Sequence, residues 1–362
     1  MLFGQLIILG FDETSMSPRL RSLLTRLQPA GVILFARNII SAEQTHQLLN
    51  DCRDCVPTPL FACVDVEGGT VDRFRNVIGQ GPSAAEVYAT RRRPLFRKHG
   101  RIIGESCRAL GFNTDFAPVV DLASEASRSV MSSRAVSADP KEAIAYAREF
   151  LAGLSSAGVL GAIKHFPGLG EANLDTHHEL PSVEKSWKKL WEQDMAPYRA
   201  LRREAPMVLV GHAAYPAVTH DRIPASLSKK WIMDVLRKKI GYRGLVVSDD
   251  LEMGGVLKAA SIGQAAVSHI KAGGDLCLVC HVAEHIEGAY EALIHEAEHD
   301  RKFARRCQES LARIQQFKKK KSKELKRRTA NPSAVKVQQL ARRLWEFGEQ
   351  VRLEAIKRQG EA

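Results

Sequence analysis

The chain has 362 residues, 44% of them apolar and 26% charged, and a formal net charge of +12. That length supplies one large core or two ordinary ones, and the balance is that of a globular protein rather than a disordered or fibrous one. Residues 318–328 hold eight bases against one acid and residues 329–362 six against four, so only +3 remains for residues 1–317 and nucleic-acid binding is not implied for the main body.

The chain opens M-L-F-G-Q-L-I-I-L-G-F-D, with no basic residue before the apolar stretch and Asp12 and Glu13 directly after it. This predicts a first strand, not a signal peptide. No apolar run approaches the ~20 residues that span a bilayer. With seven cysteines in no framework spacing, the expected location is the cytoplasm.

Short apolar runs then recur at Gln5–Gly10, Gly31–Phe35, Leu60–Val64, Asn113–Phe116, Leu160–Ile163, Met207–Val210, Leu245–Val247 and Leu276–Val279. Most are continuous rather than alternating, as expected for parallel strands covered on both faces. Helical patterns fill the gaps, at Ser41–Asp51, Pro140–Ala157, Ser186–Arg203, Ser228–Lys238, Ile262–Ala272 and Ala283–Ala297. Eight strands alternating with helices predict an α/β fold, a single (β/α)8 TIM-type barrel; an open doubly wound sheet is the alternative.

In a barrel, polar residues should gather just after each strand, at the catalytic face. Arg37 and Asn38 follow strand two, Asp65 and Glu67 strand three, and Asp115 and Asp121 flank strand four. Lys164 and His165 end strand five, His212 follows strand six, and Asp249 and Asp250 end strand seven. In D-V-E-G-G two glycines would let backbone approach a ligand closely. Arg134, on a predicted loop, could clamp a hydroxyl-rich or anionic ligand, or be a surface arginine.

After strand five the chain reads K-H-F-P-G-L-G-E-A-N-L-D-T-H-H, and Pro167, Gly168 and Gly170 punctuate a loop. Asp175, two residues before His177, can orient its imidazole and stabilise the protonated form, a general acid/base arrangement. A carboxylate at a strand end together with such a pair suits glycosyl transfer to water: Asp249 attacks the anomeric carbon and His177 protonates the leaving oxygen. Asp249 with Asp250 as metal ligands, and His177 with His178 as a surface pair, are the plainer readings.

These motifs, K-H-F-P-G-x-G…D-T-H, D-x-E-G-G…R-F, G-V-I-L-F-A-R-N, N-T-D-F-A-P-V-x-D, P-A-S-L-S and S-D-D-L-E-M, resemble those of the glycoside hydrolase family 3 β-N-acetylglucosaminidases, the NagZ type, in order from about residue 5 to residue 315. The resemblance implies a retaining, cofactor-free hydrolysis of terminal non-reducing N-acetyl-β-D-glucosamine from peptidoglycan (anhydro-muropeptide) fragments. Asp249 would be the nucleophile, His177 with Asp175 the acid/base dyad, and Asp65, Arg73, Arg134, Lys164 and His165 the sugar contacts. Phosphate in place of water as acceptor, a β-glucosidase, and a barrel that binds sugar or a partner without catalysis are the alternatives. Leu169, Glu171, Val66, Thr70 and Ala135-Val136 stand where this subfamily usually has other residues.

Cys52-x-x-Cys55 and Cys277-x-x-Cys280-His281 are not read as metal or haem sites, since alternation along a strand sends Cys277 and Cys280 to opposite faces. The expected organisation is a catalytic domain over residues 1–317, then a basic linker and amphipathic helical tail over 318–362, whose partner is left open. Val337, Leu340, Leu344, Phe347 and Val351 supply the helical spacing of that tail.

Overall fold

The computed structural model describes residues 1–124, 131, 133–170 and 180–360. Its centre is a closed barrel of eight parallel strands: β1 (Ile7–Leu9), β2 (Gly31–Ile33), β3 (Phe61–Val64), β4 (Thr114–Asp115), β5 (Leu160–Phe166), β6 (Met207–Val210), β7 (Leu245–Asp250) and β8 (Leu276–Val279). Each pairs with its sequence neighbours, and β1 closes on β8 with Ile7 opposite Cys277. All eight expected runs are strands, and the open sheet is excluded by that closure.

Most strand residues have negligible exposure because side chains fill the barrel inside and helices cover it outside. Where backbone must come close, glycine is needed. A Cβ on Gly31 would lie 2.6 Å from the Phe61 carbonyl oxygen across the β2–β3 pairing.

Local chemistry accounts for the helix boundaries. Around the barrel run α1 (Pro18–Leu27), α2 (Ala42–Asp54), α3 (Ala84–Ala89), α4 (Arg93–Ala109), α5 (Pro140–Ala157), α6 (Trp187–Glu192), α7 (Ala196–Leu201), α8 (Ile262–Ala272), α9 (Ala283–His299), α10 (Arg301–Lys320) and α11 (Ala334–Gly360). Helix α5 has the Asp139 side chain accepting from the Lys141 N–H, Pro140 in its first turn, and Gly158 at φ 81° beyond its end. Helix α8 begins in a reciprocal cap between Ser261 and Gln264 and ends at Gly273, φ 111°.

Two helical expectations are corrected. The pattern at 186–203 forms two helices, α6 and α7, parted at Gln193 (φ −107°, ψ −83°). Pro197, without an N–H to give, starts a new helix rather than continuing the old one. The segment Lys230–Lys239 is wound with π-type hydrogen bonds instead of α-type ones.

The basic run at 318–328 begins inside α10, and Ser322–Lys326 forms a further short helix, so most of it is helical rather than an extended linker. Lys318 is buried; its ammonium donates to the Gln5 side-chain oxygen (2.8 Å) and the Ala30 carbonyl (2.9 Å). Helix α11 packs Leu340, Leu344, Phe347 and Val351 against the body. Phe347 meets the His99 ring at 5.7 Å, and Arg343 and Arg92 pair with Glu105 and Glu354. All seven cysteines are free and buried, and the Cys277 thiol faces the Ala266 carbonyl of α8. No described helix is long and apolar enough to cross a membrane.

Candidate active site

Strand β7 carries Asp249 to the carboxyl end of the barrel, where one carboxylate oxygen accepts the Asp250 N–H at 2.9 Å. Burial alone would raise the Asp249 pKa. Nearby His165 and His212, that N–H and Lys164 outweigh it and hold the group below the usual carboxylate range. Asp249 is therefore ionised at neutral pH, as a nucleophile must be.

His212 sits between the Ser226 hydroxyl (2.7 Å) and the Asp250 carbonyl (2.8 Å). A carbonyl can only accept, so Nε2 bears the proton and Nδ1 accepts from Ser226. Burial lowers the His212 pKa, and the Asp249 carboxylate and the Asp250 carbonyl oppose that shift.

Strand β5 delivers Lys164 and His165 side by side. The Lys164 ammonium meets Asp65 at 2.8 Å and Glu67 at 2.7 Å, and Arg134 grips the same Glu67 through two parallel bonds of 2.7 and 2.8 Å. Burial opposes the charge on Glu67, but Lys164 and Arg134 overcome it and bring its pKa to about 2. Burial likewise opposes the Lys164 charge, and Asp65 and Glu67 raise that pKa instead. Two bases and two acids from three stretches of the chain thus form one largely buried, mutually neutralised network.

His165 donates Nδ1–H to Asp121 at 2.7 Å, and Asp121 also accepts the backbone N–H groups of His165 (3.1 Å) and Leu169 (2.8 Å). This ties the ring and the start of the following loop to the segment after β4. Asp115 differs: one oxygen accepts the Val66 N–H, the other is buried without a partner, and burial raises its pKa well above the ordinary value. Through the Val66 N–H it braces the turn after β3.

Sequence reasoning placed Asp65, Lys164, His165 and Asp249 after the right strands, and the structure gathers them at one mouth. Arg134 directs Nε and Nη2 to Glu67 and Nη1 to the Met131 sulfur at 3.8 Å. Arg73 stands apart at the rim, its guanidinium carbon 5.8 Å from the Phe35 ring and its Nε without a partner among the described residues. Gly68 and Gly69 serve the tip of a small hairpin (Val66–Gly68 with Val71–Asp72), with φ of 83° and 60°. A Cβ on Gly68 would lie 2.2 Å from the Pro82 carbonyl oxygen, so these glycines meet the demands of a tight, packed turn rather than the approach of a ligand.

Asp175, Thr176 and His177, with Glu171, lie outside the described residues. The flanks of that segment are placed. Before it, Gly170 packs on Leu122 after β4; beyond it, Pro181 accepts the Ala214 N–H after β6, and Leu180 lies beside Gly255 after β7. Glu67, Asp121 and His212 were visible as polar residues after strands but not as members of the site. The missed signal for Glu67 was a charge count, since Lys164 and Arg134 need more than Asp65 to be buried together.

Among the described residues no group of three or more His, Cys, Asp or Glu side chains is arranged to hold a metal ion. Asp250 is instead paired with His281 at 3.1 Å, with a pKa raised by burial to about 6.

Residues 3–317 match the description Glycosyl hydrolase family 3 N terminal domain. Similar proteins include a beta-hexosaminidase of Stenotrophomonas maltophilia, 34% identical over 283 residues, covering 76% of this chain and 83% of the relative. One from Xanthomonas campestris is 35% identical over 292 residues, covering 78% and 87%. Among solved structures, a glycoside hydrolase family 3 beta-N-acetylglucosaminidase from Paenibacillus superposes with a TM-score of 0.87 at 30% identity, over 96% of this chain and 68% of that one. NagZ from Neisseria gonorrhoeae gives 0.73 at 29% identity, over 79% and 84%. A closed barrel with an ionised carboxylate and a buried charge network at its mouth, matched along nearly its whole length in this way, belongs to glycosyl hydrolase family 3.

Proposed function

We propose that this enzyme, a β-N-acetylhexosaminidase of family 3, is a retaining exo-β-N-acetylglucosaminidase that removes terminal non-reducing N-acetyl-β-D-glucosamine through a covalent glycosyl–Asp249 intermediate. The observation that carries this reading is the Asp249 carboxylate, held ionised at the barrel mouth beside Lys164 and His165.

In the first step an Asp249 oxygen attacks the anomeric carbon as the glycosidic bond breaks, and His177, oriented by Asp175, protonates the leaving oxygen. In the second step neutral His177 takes a proton from water, which attacks the same carbon and frees Asp249. Asp65, Lys164 and His165 offer hydrogen bonds to the sugar hydroxyls, Arg73 has donors to spare at the rim, and Arg134 acts through Glu67. Peptidoglycan-derived muropeptides are the substrate class that the resemblance to NagZ supports. No metal or other cofactor takes part in this scheme.

Asp249→Ala should reduce turnover of an aryl N-acetyl-β-glucosaminide by roughly 10⁴-fold or more while the fold persists. Retained activity in that variant means another group attacks. His177→Ala should harm substrates with poor leaving groups more than activated aryl ones, because only the former need protonation; equal losses remove its acid role. A panel of aryl β-glycosides with and without the 2-acetamido group tests the sugar. Sugar-1-phosphate as main product in phosphate buffer would make the enzyme a phosphorylase.

A further inference from the structure

At the amino end of the barrel, opposite the mouth, the loops leading into β6 and β7 and the last turns of α10 enclose a cleft of about 640 Å3. Six cationic side chains line it and one acidic one, Glu204, which Arg148 already engages through both oxygens. Arg202 is bonded to the Arg199 carbonyl, Arg313 to Asp275, and Lys321 to Glu324. Arg203, Arg243 and Lys320 have no hydrogen-bond or ion-pair partner among the described residues. The fold therefore uses none of these three charges for itself, although gathering them around one concavity costs Coulomb energy.

The cleft is not polar throughout. Ala205, Pro206 and the partly buried Phe317 also line it, and Phe317 is backed by Phe61 with ring centres 6.1 Å apart. An apolar, partly aromatic wall next to unpaired guanidinium groups suits a ligand with a planar body and a polyanionic end. Arginine matches phosphate oxygens through its forked donors, and an aromatic ring stacks on a base. The volume is that of a small-molecule site, and the shape is concave. A lipid surface or a duplex would instead need a broad convex or grooved face.

We propose that this cleft binds a nucleoside di- or triphosphate, with its phosphates against Arg203, Arg243 and Lys320 and its base toward Pro206 and Phe317. The site is independent of the reading of the mouth, since it shares no residue with it.

The test is calorimetric titration of the full chain with ATP, tripolyphosphate and a single-stranded oligonucleotide at about 0.15 M salt, where long-range attraction is screened. ATP should bind with a micromolar dissociation constant and more tightly than tripolyphosphate. Arg203→Glu with Arg243→Glu should weaken it tenfold or more. Those variants should retain aryl-glucosaminide turnover, and their melting temperature without ligand should not fall, because they relieve repulsion. Should the double reversal fold poorly, Arg243→Gln with Lys320→Gln gives the same comparison with less perturbation. Absence of ATP binding, equal affinity for tripolyphosphate, preference for the oligonucleotide, or unchanged affinity in the variants would each overturn the proposal.

Discussion

Glu67 receives three charged hydrogen bonds from two bases distant in the chain, Lys164 and Arg134. Glu67→Gln keeps the shape and removes the charge, leaving Arg134 without an anionic partner and Lys164 with Asp65 alone. A loss of about 3 kcal/mol at neutral pH is expected, at the low end for a broken buried pair because Asp65 remains. The pH dependence has a defined sign. The folded-state pKa, about 2, lies below the ordinary 4.5, so this stability is complete above about pH 4.5 and disappears as pH falls through about 2. Urea midpoints of wild type and variant should differ at pH 7 and converge toward pH 2. A constant difference would show that the loss is packing rather than charge. Activity should fall as well, since Lys164 and Arg134 lose their common anchor.

Helix α10 brings Lys318 to the bottom of the barrel, against Gln5, Ala30 and the face of the Phe61 ring, 5.0 Å from its centre. Burial lowers its pKa to about 7 from the ordinary 10.5. Between those values the unfolded chain binds more protons than the folded one, so stability rises with pH across that window, and the full cost is present below about pH 7. In Lys318→Met, the part of the increase in unfolding free energy between pH 7 and 9 that comes from this residue should vanish, as denaturant titrations at the two pH values can check. An identical pH slope would mean that its two acceptors and the ring keep the ammonium charged throughout. Helix α11 makes a different prediction. Phe347→Ala removes a fully buried ring between α11 and His99 and should cost roughly 3 kcal/mol, read as a lower melting temperature, with kcat/KM for a small substrate unchanged because the mouth is not involved.

For the whole molecule, where the chain is cut decides what is lost. Ending it after residue 317 removes Lys318 from the barrel floor and the Ser322–Lys326 helix with its buried Leu325, together with α11, whereas ending it after residue 333 removes α11 alone. The first truncation should destabilise more than the second, and both should retain turnover of small aryl substrates if they fold. Equal melting temperatures would show that residues 318–333, with buried Lys318 and Leu325, add nothing to closure.

The strand count, parallel order and catalytic face followed from the sequence because each property is local: continuous apolar runs of strand length, helical spacing between them and polar residues after each run. The spans of α5 and α8 were legible for the same reason, since the residues that end them, Asp139, Gly158, Ser261 and Gly273, act within one turn. What only the tertiary structure decided depends on pairs brought together by closure. The sequence shows Arg134 as a free cation and Glu67 as one more acid after a strand; their bond spans 67 positions. Burial changes which charges are favoured, so the Asp115 pKa is raised, the Asp249 pKa lowered and Lys318 part of the floor rather than of a solvated run. Periodicity reports which side of an element is covered, but a pKa is a sum over neighbours, and those neighbours are fixed only when the barrel closes.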